Sequence, residues 1–591
     1  MKLFNLKWGL IFACILFYSN GFSQTIVPFV KRYENVGING DLTMIGNAIL
    51  NNSPDVPYNG NGINNDFNMV YVDIDNDPNT FSSSSADFNL ASCDRIVYAG
   101  LYWGAVLAPS TSNANQIKFK TPGGNYQNIT ADVSLDDVIY YKDVTSIVTG
   151  SSNKSGSYFV ANVVSTLGRN MAAGWTLVLV IEGPNYSRKF VSTFDGFNHV
   201  DRNNNSESFY YTGFKTPPAP SPVEGRVGVA ALEGDLGLTG DRMAFRADSK
   251  PGYSYLYDAE NSQDNFFNSK ITIDGAMVTN RNLNSSNSLS WDQKIIDLTA
   301  LNAGNSILGN DETGVSVRVE SSGDEIWTFL NTFAVEIIEP VLKVVTRVED
   351  TNGNEITHSS PVPLGATVWY EITFENVGTD NATNTYILNN IPSNVTLDPN
   401  SLVLPTGVTS NYNAQTRQLR FDIDESLVQK KGLSQPQQIR YQVTASNDCF
   451  DYSDACTNLL ENSIESYYDG EQSGTNISGT PGFNAVNGCG LGTVGSMDLF
   501  VDTSSCSFDS QLYLCNDTLT FSGDDGYDTY IWTNEQGQVI GNTKEITVNG
   551  PGIYTGTQRR TGCTETIRTV TVFGLDVTLT PSDALCKDSA D

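Results

Sequence analysis

Histidine is nearly absent from this 591-residue sequence, and positive charge is outnumbered by negative. It holds two histidines, and 34 Lys plus Arg stand against 66 Asp plus Glu, for a formal net charge of −32. So acidic a chain repels nucleic acid and anionic lipid, and neither is an expected partner. No Gly-x-Ser-x-Gly, His-Glu-x-x-His or phosphate-binding loop occurs, so the motif-borne routes to acyl transfer, zinc hydrolysis and phosphoryl transfer are missing. His199, in Asp195-Gly-Phe-Asn-His199-Val-Asp201, offers an Asp/His arrangement, with a plain loop histidine as the ordinary alternative. Paired carboxylates for glycoside cleavage are defined by their separation in space, and the sequence singles out none of its 66 acids. The absence of Cys-x-x-Cys removes the usual zinc spacing. Beyond residue 23 there is no run apolar enough to cross a bilayer and no long 3.6-residue period.

What is there is apolar and aromatic content with polar loops. Hydrophobic residues make up 39% and charged residues only 17%, which provides real cores and the composition of secreted all-β modules. Lys2 and Lys7, the apolar run Trp8 to Tyr18 and the small-residue region Gly21-Phe22-Ser23 read as a secretory signal peptide over 1–23. Cys14 lies inside that run, with Phe12 two residues before it, which disfavours a lipid-modified cysteine. Eight cysteines follow, seven of them after residue 440. Clustering in an exported chain argues for disulfides.

From Gln24 to about Pro340 the pattern is one large β-sandwich domain, jelly-roll-like in its alternation of strands and long loops. Arg95 to Trp103 and Trp175 to Ile181 are near-continuous apolar runs, as for strands covered on both faces. Asp143 to Val148 allows one capped helical turn. Thr216-Pro-Pro-Ala-Pro-Ser-Pro222 is an extended loop inside this domain. Val368, Tyr370, Ile372 and Phe374 then alternate with Trp369, Glu371, Thr373 and Glu375, a strand with one buried face. Asn376 to Asn381 is turn chemistry, and Thr385 to Leu388 reads as the returning arm of a hairpin.

Leu342-Lys343-Val344, Gly365, Asn376-Val377-Gly378 and Ile391-Pro392 resemble the signature of the conserved-repeat domain of bacterial surface proteins (domain of unknown function eleven). The resemblance covers about 340–445 and implies a sandwich-like spacer. With a Cys- and Gly-rich extension it makes a domain over 341–510. Four cysteines of the extension, Cys449, Cys456, Cys489 and Cys506, allow three connectivities, and local pairing (Cys449–Cys456, Cys489–Cys506) is the expectation. Over 511–574, Cys515, Trp532 and Cys563 have an immunoglobulin-like layout. Tyr530-Ile531-Trp532, Gly552-Ile553-Tyr554 and Gly562-Cys563 resemble the small Ig-like and PKD-like modules of Bacteroidetes surface proteins. A Cys515–Cys563 bond is expected there, worth roughly 4 kcal/mol in the chain-entropy model. The tail 575–591, with Cys586, reads as the start of a truncated further repeat. It resembles the repeat of the SprB-like gliding-motility adhesins. That resemblance implies type IX export and the outer-membrane secretion and gliding machinery as partners.

Two constellations carry the candidate chemistry. Asp73-Ile-Asp75-Asn-Asp77 places three carboxylates at alternate positions, with Asn76 and Asn79 adding carbonyls, a donor set suited to calcium. It departs from the EF-hand at Pro78 and Ser84, and a solvated acidic turn is the alternative. Glu233-Gly-Asp235 with Gly240-Asp241 suits a rigid double turn, and Asp524-Asp525-Gly526 a hairpin turn. Tyr253, Tyr255 and Tyr257 alternate in a loop flanked by Pro251, Gly252 and Asp258, so their rings are candidates to face a ligand. The tryptophans Trp103, Trp175, Trp291, Trp327 and Trp369 lie in or beside apolar strands and are expected in cores.

The expectation is a non-enzymatic adhesin at the cell surface, contacting an extracellular surface or polysaccharide in attachment and gliding. A secreted carbohydrate-active enzyme or glycan-binding module, and a passive structural stalk, are the alternatives.

Overall fold

A computed structural model describes residues 25–75, 77–108 and 111–574. The leader 1–23, Cys14, Asn76 and the tail 575–591 with Cys586 lie outside the described residues. The protein is all-β, about 52% strand and 3% helix, built as multidomain β-sandwiches. Its chain divides into two compact units, the first ending at Ile338 and the second beginning at Glu339.

The first unit is organised on its opening strand, Thr25–Ala48, 24 residues long. Thr25 to Asn39 pairs antiparallel with Arg188–Val200 through several register shifts. Gly40 to Ala48 pairs instead with Ala173–Glu182. One strand thus joins the two halves of an eleven-stranded sheet. Gly40 sits at the changeover, where a side chain would run into the Ile181 carbonyl.

Arg95–Ala105 and Ala173–Glu182 are buried on both faces, as their apolar runs predict. Leu101, Trp103, Leu177 and Leu179 enter a core with Phe119, Tyr158 and Val160 of a five-stranded sheet. Tyr98, Tyr102, Val178 and Val180 face the other way, into a core shared with Trp291, Ile295 and Leu330. In the second half of the sheet, Val227, Val229 and Phe333 pack on Phe209, Phe245 and Val317 of a four-stranded sheet. That sheet consists of Ser206–Thr212, Gly314–Ser321, Asp241–Ala247 and Ser254–Tyr255. The helical turn expected at Asp143 is Thr145–Gly150, and Asp143 Oδ1 accepts from the Thr145 N–H at 2.8 Å.

A charged clamp ties the opening strand to its neighbour. Arg32 Nε and Nη2 donate to the two oxygens of Asp195 at 2.7 and 2.8 Å, and Tyr102 OH donates to Oδ2 at 3.1 Å. Asp195 is fully buried. Removing one partner of such a pair strands the other in low dielectric. Asp195→Ala is therefore expected to lower unfolding stability by about 3 kcal/mol in denaturant titration of the folded chain, and Asp195→Asn by less, because the amide oxygen still accepts.

In the second unit the strand Thr367–Asn376 alternates as predicted, with Val368, Tyr370, Ile372 and Phe374 buried. The expected hairpin with the following strand does not form. Thr367–Asn376 pairs with Leu342–Asp350 and Gln437–Ala445. Ala382–Asn390 pairs with Gln418–Ile423 and Leu459–Gly470 in the opposite sheet. The turn is an arch between sheets, because both strands have an apolar face that only a shared core between them can cover. Asn376 holds the arch: its amide donates to Asp380 O and Val428 O, both at 2.8 Å, and its oxygen accepts from Gly378 N at 2.9 Å. Strands of the Cys-rich extension complete both sheets. Leu459–Gly470 pairs with Ala382–Asn390, and Phe483–Val486 joins Leu342–Asp350. The Ig-like module closes over Trp532, which is fully buried with Phe521, Val570 and Val572 and donates Nε1–H to Thr543 O at 3.0 Å.

The cysteine pairing departs from expectation. The bonds include Cys449–Cys506 and Cys456–Cys563, with Cα separations of 5.4 and 5.1 Å; Cys93 and Cys489 are also disulfide-bonded, and Cys515 is an exposed free thiol. Phe508–Leu514 runs parallel to Thr566–Gly574, Leu514 beside Gly574. Cys515 thus lies at one end of that strand pair and Cys563 beyond the other, too far apart to bond. Local pairing of Cys449 with Cys456 and of Cys489 with Cys506 is likewise excluded. The Cys456–Cys563 bond stitches the sandwich to the Ig-like module, beside Tyr527 OH donating to Ser453 O at 2.9 Å. Peptide mapping without reduction is expected to recover the 449–506 and 456–563 pairs and no 515–563 species.

Candidate functional site

The acidic loop of the first unit brings two of its three predicted ligands together. The Ser83 hydroxyl lies 2.9 Å from both Asp73 Oδ1 and Asp75 Oδ1. Tyr126 OH donates to Asp75 Oδ2 at 2.5 Å. Asp77 turns away, its Oδ1 accepting from the backbone N–H and side-chain amide of Asn79 at 2.9 and 2.8 Å. Burial pushes the Asp75 carboxyl up, but the hydrogen bonds from Tyr126, Ser83, the Asp77 N–H and Thr80 outweigh it and hold the group below the usual carboxylate range. Among the described residues no group of three or more His, Cys, Asp or Glu is placed to hold a metal ion.

A second set of acids, only partly visible in the sequence, is buried between the sheets. Lys294 and Asp292 form a fully buried ion pair at 2.8 Å. Lys294 also donates to Asn268 Oδ1 at 2.8 Å. Asp241 Oδ1 accepts the Phe267 N–H at 2.5 Å. Asp324 Oδ2 accepts the Asp235 N–H at 2.9 Å, and Asn64 approaches Glu233 Oε2 at 3.4 Å. Asp241 Oδ2, Asp292 Oδ2 and Glu233 Oε1 have no hydrogen-bond partner among the described residues. The double turn expected at Glu233 and Asp241 is thus the rim of an acid cluster. Asp292 and Lys294, two apart on the strand Trp291–Asp297, share one face of a strand that is buried on both. Their i, i+2 spacing was the signal, but polar residues in a strand usually mark a solvated face, and here both faces are covered.

Burial disfavours the charged form of each acid. It pushes Glu233 and Asp324 up to about 8, Asp241 to about 7 and Asp235 to about 6. Asp292 also rises and Lys294 falls, both from desolvation. These carboxyls bind more protons in the native than in the unfolded state. Their contribution is complete at acid pH, below the unfolded carboxyl value of about 4, and is lost as pH rises through 6 to 8. The melting temperature of the first unit is expected to fall on the order of 5 °C between pH 5 and pH 8. Asp324→Asn is expected to flatten that slope in calorimetry.

The tyrosine loop is placed differently from a bare stacking platform. The Tyr253 ring has the Arg318 guanidinium 3.9 Å from its centroid and that of Arg246 at 5.1 Å. Arg242 lies 5.1 Å from the Tyr255 ring, and Tyr255 OH donates to Glu320 Oε2 at 3.3 Å. Tyr257 is exposed. Arginines, which sequence reasoning passed over, therefore cover two of the three predicted rings. Beside them lies a surface depression of about 310 Å3, lined in part by Asn205, Arg242, Arg318, Glu320 and Ser322. None of the buried acids lines it.

The remaining candidates are structural. Trp103, Trp175 and Trp291 are fully buried. Trp327 and Trp369, expected in cores, are only half-buried: Trp327 packs on the edge of a core, and Trp369 is on the face of its strand opposite Val368 and Tyr370, with the Arg440 guanidinium 5.0 Å from its ring. His199 Nε2 is 2.9 Å from Glu325 Oε1, which already accepts Trp327 Nε1–H at 2.7 Å. His358 accepts the Asp498 N–H at 3.2 Å.

No family model matches the chain, and no curated protein does. Among solved structures, the C-terminal domain of the Streptococcus pyogenes antigen I/II-family protein AspA is 12% identical. It covers 54% of this chain and 93% of its own, at a TM-score of 0.21. The C-terminal domain of the Streptococcus agalactiae AgI/II polypeptide BspA is 9% identical, over 54% and 93%, at 0.18. The collagen adhesin (CNA) from S. aureus is 9% identical, over 53% and 87%, at 0.16. Likeness at these scores carries no weight here, and the conserved-repeat and SprB-like resemblances rest on the residues that suggested them.

Proposed function

We propose that the protein is an exported cell-surface adhesin whose modules contact an extracellular surface or polysaccharide, with no bond-breaking role. The observation that carries this reading is the pair of disulfides closing 57- and 107-residue separations in the second unit. Such bonds persist in oxidising compartments, and in the chain-entropy model each stabilises by roughly 4 to 5 kcal/mol. They brace a sandwich and an Ig-like module into one unit suited to bearing load. The signal-peptide pattern at 1–23 supports export, and the SprB-like tail supports the type IX route and a part in gliding. The absence of motif-borne chemistry in the sequence and the placement of both histidines beside ordinary structural partners favour contact over catalysis.

Deleting the gene is expected to reduce attachment to surfaces and to slow or abolish gliding, with the protein accessible to protease on intact cells. A deletion strain that attaches and glides normally would sink the reading. Release of reducing ends from polysaccharide by the purified chain would replace it with the enzymatic alternative.

A further inference from the structure

We infer that the outer face of the four-stranded sheet in the first unit is a binding site for an acidic polysaccharide, whose carboxylate or sulfate groups are taken by Arg242, Arg246 and Arg318. The inference rests on the adhesin reading and gives it a site and a ligand class.

The register assembles the site. Arg242 pairs with Glu320, Ala244 with Arg318 and Arg246 with Ser316, between Asp241–Ala247 and Gly314–Ser321. Arg318 therefore falls between the other two arginines on the same face. Three guanidiniums so close are unusual in a chain with 34 basic and 66 acidic residues. They are only partly neutralised. Arg242 spends Nε and Nη2 on Asp264, and Arg318 spends Nη2 on Glu320. Arg246 has no carboxylate within ion-pair distance among the described residues; the Nε–H groups of Arg246 and Arg318 are buried without an acceptor, and the donors not spent on these carboxylates are the terminal nitrogens, both Nη of Arg246 and the Nη1 of Arg242 and Arg318.

The Tyr253 ring steadies those terminal donors, with the Arg318 guanidinium 3.9 Å and that of Arg246 5.1 Å from its centroid. A guanidinium fixed on an aromatic face has little rotamer freedom left to lose on binding. Its planar fork matches carboxylate and sulfate oxygens in paired hydrogen bonds. The adjoining depression of about 310 Å3 is at the small end of the range for ligand clefts, about 300–1,000 Å3. Asn205, Ser206 and Ser322 on its rim suit sugar hydroxyls. The net charge of −32 disfavours a densely charged polyanion. A saccharide with spaced acidic groups meets the three arginines without meeting the rest of that field.

The test is calorimetric titration of the full secreted chain with hyaluronan, which carries one carboxylate per disaccharide, a lightly sulfated dextran, neutral dextran and single-stranded DNA at two salt concentrations. At least one acidic polysaccharide is expected to bind, more weakly at higher salt, while dextran and DNA do not. The double variant Arg246→Gln/Arg318→Gln is expected to lose affinity roughly tenfold or more, and the Arg318→Lys variant to recover only part, since lysine restores charge without the fork. An unchanged melting curve shows that the double variant is folded. If it is not, Arg246→Gln alone, which breaks no ion pair, takes its place. Binding unaffected by these variants, equal binding to DNA, or no binding to either acidic polysaccharide would overturn the site. Cells separate the two readings. A double variant that fully restores attachment to a deletion strain removes the site and leaves the adhesin standing. Normal attachment in the deletion strain, with arginine-dependent binding intact in solution, removes the adhesin and leaves the site.

Discussion

The first unit depends on one strand serving two sheet halves. Thr25–Ala48 gives Arg188–Val200 its neighbour over its first part and Ala173–Glu182 over its second. A ladder bond satisfies a backbone donor and acceptor in the interior, so a strand shared this way cannot shift register in one half without stranding groups in the other. The Arg32–Asp195–Tyr102 clamp fixes that register with charge-assisted bonds. Around it, each half of the sheet buries one face against its own smaller sheet and the other in the common core of Tyr102, Trp291 and Leu330.

Such a construction leaves polar residues in low dielectric. Lys294 is tolerated because Asp292, Asn268 and the Lys270 carbonyl accept its N–H groups. The acids around it lack enough positive charge to pair with, and they meet the cost by holding protons. The same unit carries Arg242, Arg246 and Arg318 half-buried on the outer face of its four-stranded sheet, two of them paired with Asp264 and Glu320.

The second unit solves a different problem. Its Ig-like module has a small core around Trp532, and small modules bury too little apolar surface to be robust alone. The Cys456–Cys563 bond and the Tyr527 contact tie it to the larger sandwich, whose core runs from Leu342 to Val501.

Strand existence and which residues face inward were legible in the sequence. The alternation at Val368, Tyr370, Ile372 and Phe374, the doubly buried runs at Arg95 and Trp175, and the core role of Trp532 are properties of a few consecutive residues, because side chains alternate along any strand. Partner choice was not legible. Whether Ala382–Asn390 returned beside Thr367–Asn376 or crossed to the other sheet, and whether Cys563 met Cys515 or Cys456, depended on residues tens of positions away. The candidate site divides along the same line. The tyrosines of 253–257 stood out by local spacing, whereas Arg318 reached Tyr253 only through the pairing of two strands more than sixty residues apart. The sequence by itself determined the all-β class and the inward faces, since those follow from period-two burial. The tertiary structure alone decided cysteine pairing, the buried acid cluster and the arginine face, since each is a meeting of residues distant along the chain.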